Sequence, residues 1–104
     1  MADLLEVDPQ DLSARLKEGW QLVDVREVDE RAGGHIGGDH HVVMEELPQR
    51  AEEIGRDQPV VFYCRTGNRS GMAAEAFRSS GYDAYHLAGG IEAWEAAGLP
   101  VEQD

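Results

Sequence analysis

The run Pro59-Val60-Val61-Phe62-Tyr63 does most to limit what this chain can fold into. It is short, apolar and β-branched, with no polar residue alternating through it, and so reads as a buried strand. The loop Cys64-Arg65-Thr66-Gly67-Asn68-Arg69 follows at once. A helical pattern then runs from Ser70 to Ser80, with Ala73, Ala76 and Phe77 on one face and Gly81 as the stop.

The same alternation fills the rest of the chain. Asp8 caps a first helix, with Pro9 at its first position, Asp11 at the capping-box position, Leu12 and Leu16 on one face, and Gly19 as the stop. Leu22 to Val25 reads as a second buried strand, and a short helix near Val28 to Ala32 ends in Gly33-Gly34. A short strand is expected within His40 to Met44, and a helix carrying Leu47, Ala51 and Ile54 is expected to close at Gly55. Ala84 to Leu87 reads as the last strand, and Ile91 and Trp94 place a final helix on the core before Gly98 and Pro100. Strands and helices joined by short links predict an α/β layered fold with a mostly parallel sheet. With 104 residues there is room for one domain, spanning 1–104, and one core. A domain of this size is expected to be a monomer.

Charge and cysteine use narrow the function. The net charge of -12 argues against nucleic acid and anionic membrane surfaces, both of which need a basic footprint. Its plain consequence is solubility; an acidic docking face for a basic partner is the other reading. A single cysteine allows no internal disulfide. The first residues have no basic start or long apolar run, so no signal peptide is expected. No stretch approaches the ~18 apolar residues of a membrane span. The expectation is a cytoplasmic protein.

The chemistry is expected at Cys64, which sits between a buried strand and a helix start, where ligands of open α/β sheets bind. Three effects would favour its thiolate. A tight loop can turn several backbone N–H groups toward one point. Gly67 suits a positive φ there, and Asn68 tolerates one better than most residues. The following helix points its N-terminus at the site. Arg65 and Arg69 add positive charge: the stretch Cys64 to Gly81 carries three arginines and one glutamate, a cationic island on an acidic chain. A lone cysteine after an apolar strand is otherwise usually a small buried hydrophobe; the Gly-Asn turn, the arginines and the helix start favour a nucleophile.

Other candidates carry less. His40 and His41 are adjacent, so in a strand they point to opposite faces, and no metal is expected. His86 reads as partly buried and structural, and Trp20 and Trp94 as packing. Gly33-Gly34 and Gly37-Gly38 lack the strand-to-helix setting of a phosphate loop. No cofactor is implied.

Four segments in order resemble the rhodanese homology domain family: Leu22-Val23-Asp24-Val25-Arg26-Glu27, Gly34-His35-Ile36, Val60 to Ser70, and Leu87-Ala88-Gly89-Gly90-Ile91-Glu92-Ala93-Trp94. The resemblance covers nearly the whole chain. It implies a central parallel sheet with helices on both sides and a Cys64 that takes a sulfane sulfur from a small anionic donor such as thiosulfate. The persulfide then passes to cyanide or a thiol by double displacement. It implies that Arg65, Thr66, Gly67, Asn68 and Arg69 cradle the sulfur, with Ser70, Asp24 and Arg26 in support; Asp24 and Arg26 read mainly as a structural charged network. A relay module that accepts a partner protein's persulfide is the alternative. A silent interaction domain is disfavoured by the intact Cys64. Related phosphatases and arsenate reductases place five residues between cysteine and arginine. Here four separate Cys64 from Arg69, a shorter ring that suits a single sulfur. Gly37 and Val42-Val43 stand where the family often has proline, which leaves the shape of Gly37 to His41 open.

Overall fold

The computed structural model describes residues 5–103; the reading of the N-terminal start falls largely on residues 1–4, outside that range. In chain order the elements are β1 (Glu6–Val7), α1 (Pro9–Lys17), β2 (Gln21–Asp24), α2 (Val28–Ala32), β3 (His40–His41), α3 (Leu47–Arg50), β4 (Val60–Tyr63), α4 (Asn68–Ser79), β5 (Ala84–Leu87) and α5 (Gly90–Ala96). The sheet runs β1-β5-β4-β2-β3 with every pairing parallel. Among the described residues no helix is long and apolar enough to cross a membrane.

Side chains alternate across a strand, and this assigns the two layers. Val60 and Phe62 of β4 join Val23, Val25 and the α4 residues Ala73, Ala74 and Phe77 in one core cluster. Val61 and Tyr63 face the other way, onto Leu12 of α1 and Ile91 and Trp94 of α5. Cys64 continues the alternation and falls in the α4 cluster. Because β4 is the middle strand, its carboxyl end lies at the centre of the sheet's carboxyl edge, where ligands of open α/β sheets bind.

Local signals set several boundaries. The Asp8 carboxylate accepts the Asp11 N–H at 2.8 Å, and Pro9 opens α1. Elsewhere the structure departs from the sequence expectation. β1, only two residues long and paired with β5, escapes any periodicity argument. The helix expected around Leu47, Ala51 and Ile54 is broken into α3 and a 3₁₀ turn, Ala51–Glu53, with a further 3₁₀ turn, Met44–Glu46, before it. Its inward face survives, since Leu47 and Ile54 are buried. The strand within His40 to Met44 shrinks to His40–His41 at the sheet edge.

A buried ionic network lies at this edge beside β2 and β4. Asp24, 0% exposed, takes the Arg26 Nε and Nη2 at 3.0 Å each and the Arg26 backbone N–H at 2.9 Å. Arg26 also donates to the Gly34 carbonyl at 2.7 Å. Arg31 bridges Asp24 to Asp39, meeting the Asp39 carboxylate at 2.7 and 2.9 Å. The Tyr63 hydroxyl donates to Asp39 at 2.6 Å and accepts the Ile36 N–H at 3.0 Å. Burial would push the Asp39 carboxyl up, but the Arg31 and Tyr63 hydrogen bonds outweigh it and hold it below the usual value. The segment Gly37 to His41 therefore ties the edge of the sheet to β4 through Asp39. A side chain at Gly37 would overlap the Glu102 carboxylate, so this glycine allows a close approach of the C-terminal segment.

Candidate active site

Cys64 directly follows β4 and is 1% exposed. The chain then turns through Gly67, at φ +113°, into α4. That conformation suits glycine alone, and it aims the loop's amides inward. The Gly67 N–H donates to Cys64 Sγ at 3.1 Å and the Ser70 N–H at 3.4 Å, while the Ser70 Oγ lies 3.4 Å away. Asn68 takes no positive φ; it is the first residue of α4, which begins two residues earlier than the sequence pattern indicates.

Burial pushes the Cys64 thiol up. The Ser70 side chain and the backbone groups of Ser70, Gly67 and Thr66 outweigh it and bring the thiol below its ordinary value. The lowering therefore comes from dipoles of the loop and the α4 start.

The arginines are placed differently from the cationic island read in the sequence. Arg69 is clamped by Glu30 of α2, Nη1 to Oε1 at 2.7 Å and Nη2 to Oε2 at 2.9 Å. Arg65 meets Glu92 of α5 at 2.9 Å. Arg78 is turned to the Ala84 carbonyl at 2.8 Å. The two loop guanidiniums are thus matched by two carboxylates from distant segments. The Arg69 hydrogen bonds, against a smaller opposing effect of burial, lower the Glu30 carboxyl to about 2.

Behind the loop lies His86 of β5, buried, with Nδ1 3.3 Å from Ser70 Oγ. Its ring packs against Gly71, where a Cβ would sit 3.5 Å from the imidazole. Ser70 thus stands between Cys64 and His86. The sequence gives neither Glu30, Glu92 nor His86 a place at the site; the Glu27-x-x-Glu30 capping spacing is a signal for the helix, not for the loop. Asp24 and Arg26 lie in the ionic network described above. His40 and His41 diverge, to Glu53 at 2.7 Å and to the Arg26 carbonyl at 2.8 Å.

One consequence is testable by pH. Removing the Ser70 hydroxyl removes a group that stabilises the thiolate, so Ser70→Ala is expected to raise the Cys64 pKa. The reactive fraction of a depressed thiol is present above its pKa and lost as pH falls through it. The alkylation rate of Cys64 by iodoacetamide should therefore shift to higher pH in the variant. A hydrogen bond to a charged group contributes about 1.5–3 kcal/mol, so on the acid side of the profile the rate should fall at least about tenfold. An unmoved profile would mean that the backbone amides act without the hydroxyl.

A parallel α/β sheet with a buried cysteine thiol just past its middle strand, facing backbone amides at a helix start, defines the class of the fold. Residues 8–97 match the rhodanese-like domain model, and the chain belongs to that family. It is 41% identical over 99 residues to a sulfurtransferase of Allochromatium vinosum, covering 92% of each chain. It is 34% identical to the thiosulfate sulfurtransferase GlpE of Pseudomonas fluorescens, over 98% of this chain and 94% of that one. The match to Bacillus subtilis YqhL, 45% identical, takes in 71% of this chain and 60% of that protein's length. Among solved structures, a rhodanese-related protein of Thermoplasma volcanium superposes with a TM-score of 0.90 at 29% identity, over 95% of this chain and 98% of that one.

Proposed function

We propose that this protein is a sulfurtransferase of rhodanese type, moving a sulfane sulfur from thiosulfate or another persulfide donor to a thiophilic acceptor through a persulfide on Cys64. The observation that carries the reading is the Cys64 sulfur at the end of the middle strand, held by the Gly67 and Ser70 amides. The names of the Allochromatium and Pseudomonas relatives support the same chemistry.

In the first half-reaction the Cys64 thiolate attacks the outer sulfur of the donor. The donor's sulfur–sulfur bond breaks, and sulfite leaves with the bonding electrons when thiosulfate is the donor. In the second, cyanide or a thiolate attacks the outer persulfide sulfur and the Cys64 thiolate is regenerated. No external oxidant is needed. The loop amides that favour the thiolate would favour the persulfide anion for the same reason, with Arg65, Thr66, Gly67, Asn68 and Arg69 framing it and Ser70 touching the sulfur. Asp24 and Arg26 would act by fixing the active edge. The chain's single cysteine offers no second thiol to resolve the persulfide, so release falls to an external acceptor, cyanide, a small thiol or a partner protein. A lone thiol of this kind suits the reducing cytoplasm.

The test is intact mass after incubation with thiosulfate, with and without later cyanide. A gain of one sulfur, about 32 Da, that cyanide removes is the expected result. No gain from any sulfane donor would overturn the reading.

A further inference from the structure

The Glu30–Arg69 pair is bidentate and half-sheltered, and it joins α2 to the first turn of α4. Glu30 is held in place from its own helix as well, because its Oε1 accepts the Glu27 N–H at 3.0 Å in a capping box. A dianionic donor arriving at the loop must therefore compete with a carboxylate already seated on Arg69. Arg65 is similarly matched by Glu92. Beyond the loop, the whole molecule carries -12. Neither the loop nor the long-range field favours a doubly charged anion.

The two helices that carry the pair also carry exposed apolar side chains. The large apolar side chains most open to solvent among the described residues are Val28, 69% exposed, and Met72, 57% exposed. Val28 lies two residues before Glu30 on α2 and Met72 three residues after Arg69 on α4. A loop whose two arginines are already matched by carboxylates fits a donor of lower charge, such as an organic persulfide, better than the thiosulfate dianion.

Resting on the sulfurtransferase reading above, we propose that Glu30 sets donor selectivity: by neutralising Arg69 it turns the Cys64 loop toward small organic persulfides, R–S–SH, and away from thiosulfate. Such a donor carries at most one negative charge. The Cys64 thiolate attacks its outer sulfur, the S–S bond breaks, and R–S⁻ leaves with the electron pair, giving Cys64–S–SH. Atoms and electrons balance without a further reagent. Glu30 does not touch the reacting sulfur; it is a specificity residue acting through Arg69.

The experiment compares wild type with Glu30→Gln, using thiosulfate and 2-hydroxyethyl persulfide as donors and cyanide as acceptor. Glutamine also serves at this capping-box position, so α2 keeps its start while the charge is removed. Wild type is expected to show kcat/KM at least about tenfold higher for the persulfide, and Glu30→Gln to lower KM for thiosulfate about tenfold while leaving the persulfide KM unchanged. A purely structural role would move both donors together, and that result would overturn the proposal. So would a wild-type preference for thiosulfate, or a thiosulfate KM that does not respond to the substitution. If neither donor loads Cys64 in either protein, the sulfurtransferase reading itself falls; the mass measurement separates that outcome from a failure of the Glu30 argument alone.

Discussion

Cys64→Ser is expected to abolish sulfur transfer while leaving the fold intact. The side chain is nearly buried and accepts hydrogen bonds from the Gly67 and Ser70 amides. A serine hydroxyl is smaller than the thiol and can accept the same bonds, so no buried donor is orphaned. Its oxygen cannot carry a transferable sulfane sulfur. The chain contains no other cysteine to substitute for it. Loss of a covalent nucleophile removes the whole double-displacement route, so thiocyanate formation should fall at least about a thousandfold, to the uncatalysed background. The variant should show no mass gain with any donor, and its thermal unfolding should stay close to wild type. Persistent turnover in a folded Cys64→Ser protein would remove Cys64 from the mechanism.

Gly90→Ala is expected to damage both stability and activity, through a contact that no local pattern announces. Gly90 opens α5 at φ +65°, and a methyl group there would overlap the Arg65 carbonyl and lie 2.5 Å from the Cys64 carbonyl oxygen. The same two carbonyls accept the N–H groups of Ile91 at 2.9 Å and Glu92 at 3.2 Å, so α5 is stitched to the start of the Cys64 loop. Alanine would cost stability twice, in left-handed strain of about 1–2 kcal/mol and in displacement of the loop backbone. The expected loss is about 2–4 kcal/mol of stability. A shift of about 1 Å at a reacting group can cost roughly a hundredfold in rate, and a drop of that order is expected here. Gly98 provides the control. It has φ +79°, and the Cβ that alanine would add there has no neighbouring atom within 4 Å, so Gly98→Ala carries the strain without the clash. It should be mildly destabilised and fully active. Equal effects from the two substitutions, in denaturant midpoint and in transfer rate, would show that strain alone matters at Gly90.

Both results bear on why the site works as a unit. The environment of Cys64 is assembled from β4, the loop, the first turn of α4 and the start of α5, with β5 behind it through His86. The thiol is lowered by dipoles that face it directly, while the charged groups around the loop are matched against one another. In the proposed reading that division gives Ser70 the control of reactivity and Glu30 the choice of donor, two properties that the pH profile and the donor comparison read separately.

Much of this was legible in the amino-acid order. The unbroken apolar run Val60 to Tyr63 read as an interior strand, and the helices alternating with the strands predicted the parallel pairing that the sheet shows. The period of two carries Cys64 to the same side as Val60 and Phe62, but that α4 covers this side is a fact of the tertiary structure. Gly67 was readable for the same local reason: a turn into a helix at that point needs a positive φ. Asp8, Pro9 and Gly19 marked the limits of α1 because caps act within a single turn. What sequence could not supply was the loop's charge. Counting Arg65, Arg69 and Arg78 against Glu75 gave a cationic island, but the partners of the first two come from residues 92 and 30, separated from them in sequence by 27 and 39 positions. Likewise the place of Gly90 against Arg65, and of His86 behind Ser70, depends on β5 lying beside β4 and on α5 packing over the loop. Local propensity and periodicity are set by near neighbours in the chain and fix elements, caps and faces. Electrostatic pairing and close backbone approach depend on distances in space, and those exist only once the strands have taken their order in the sheet.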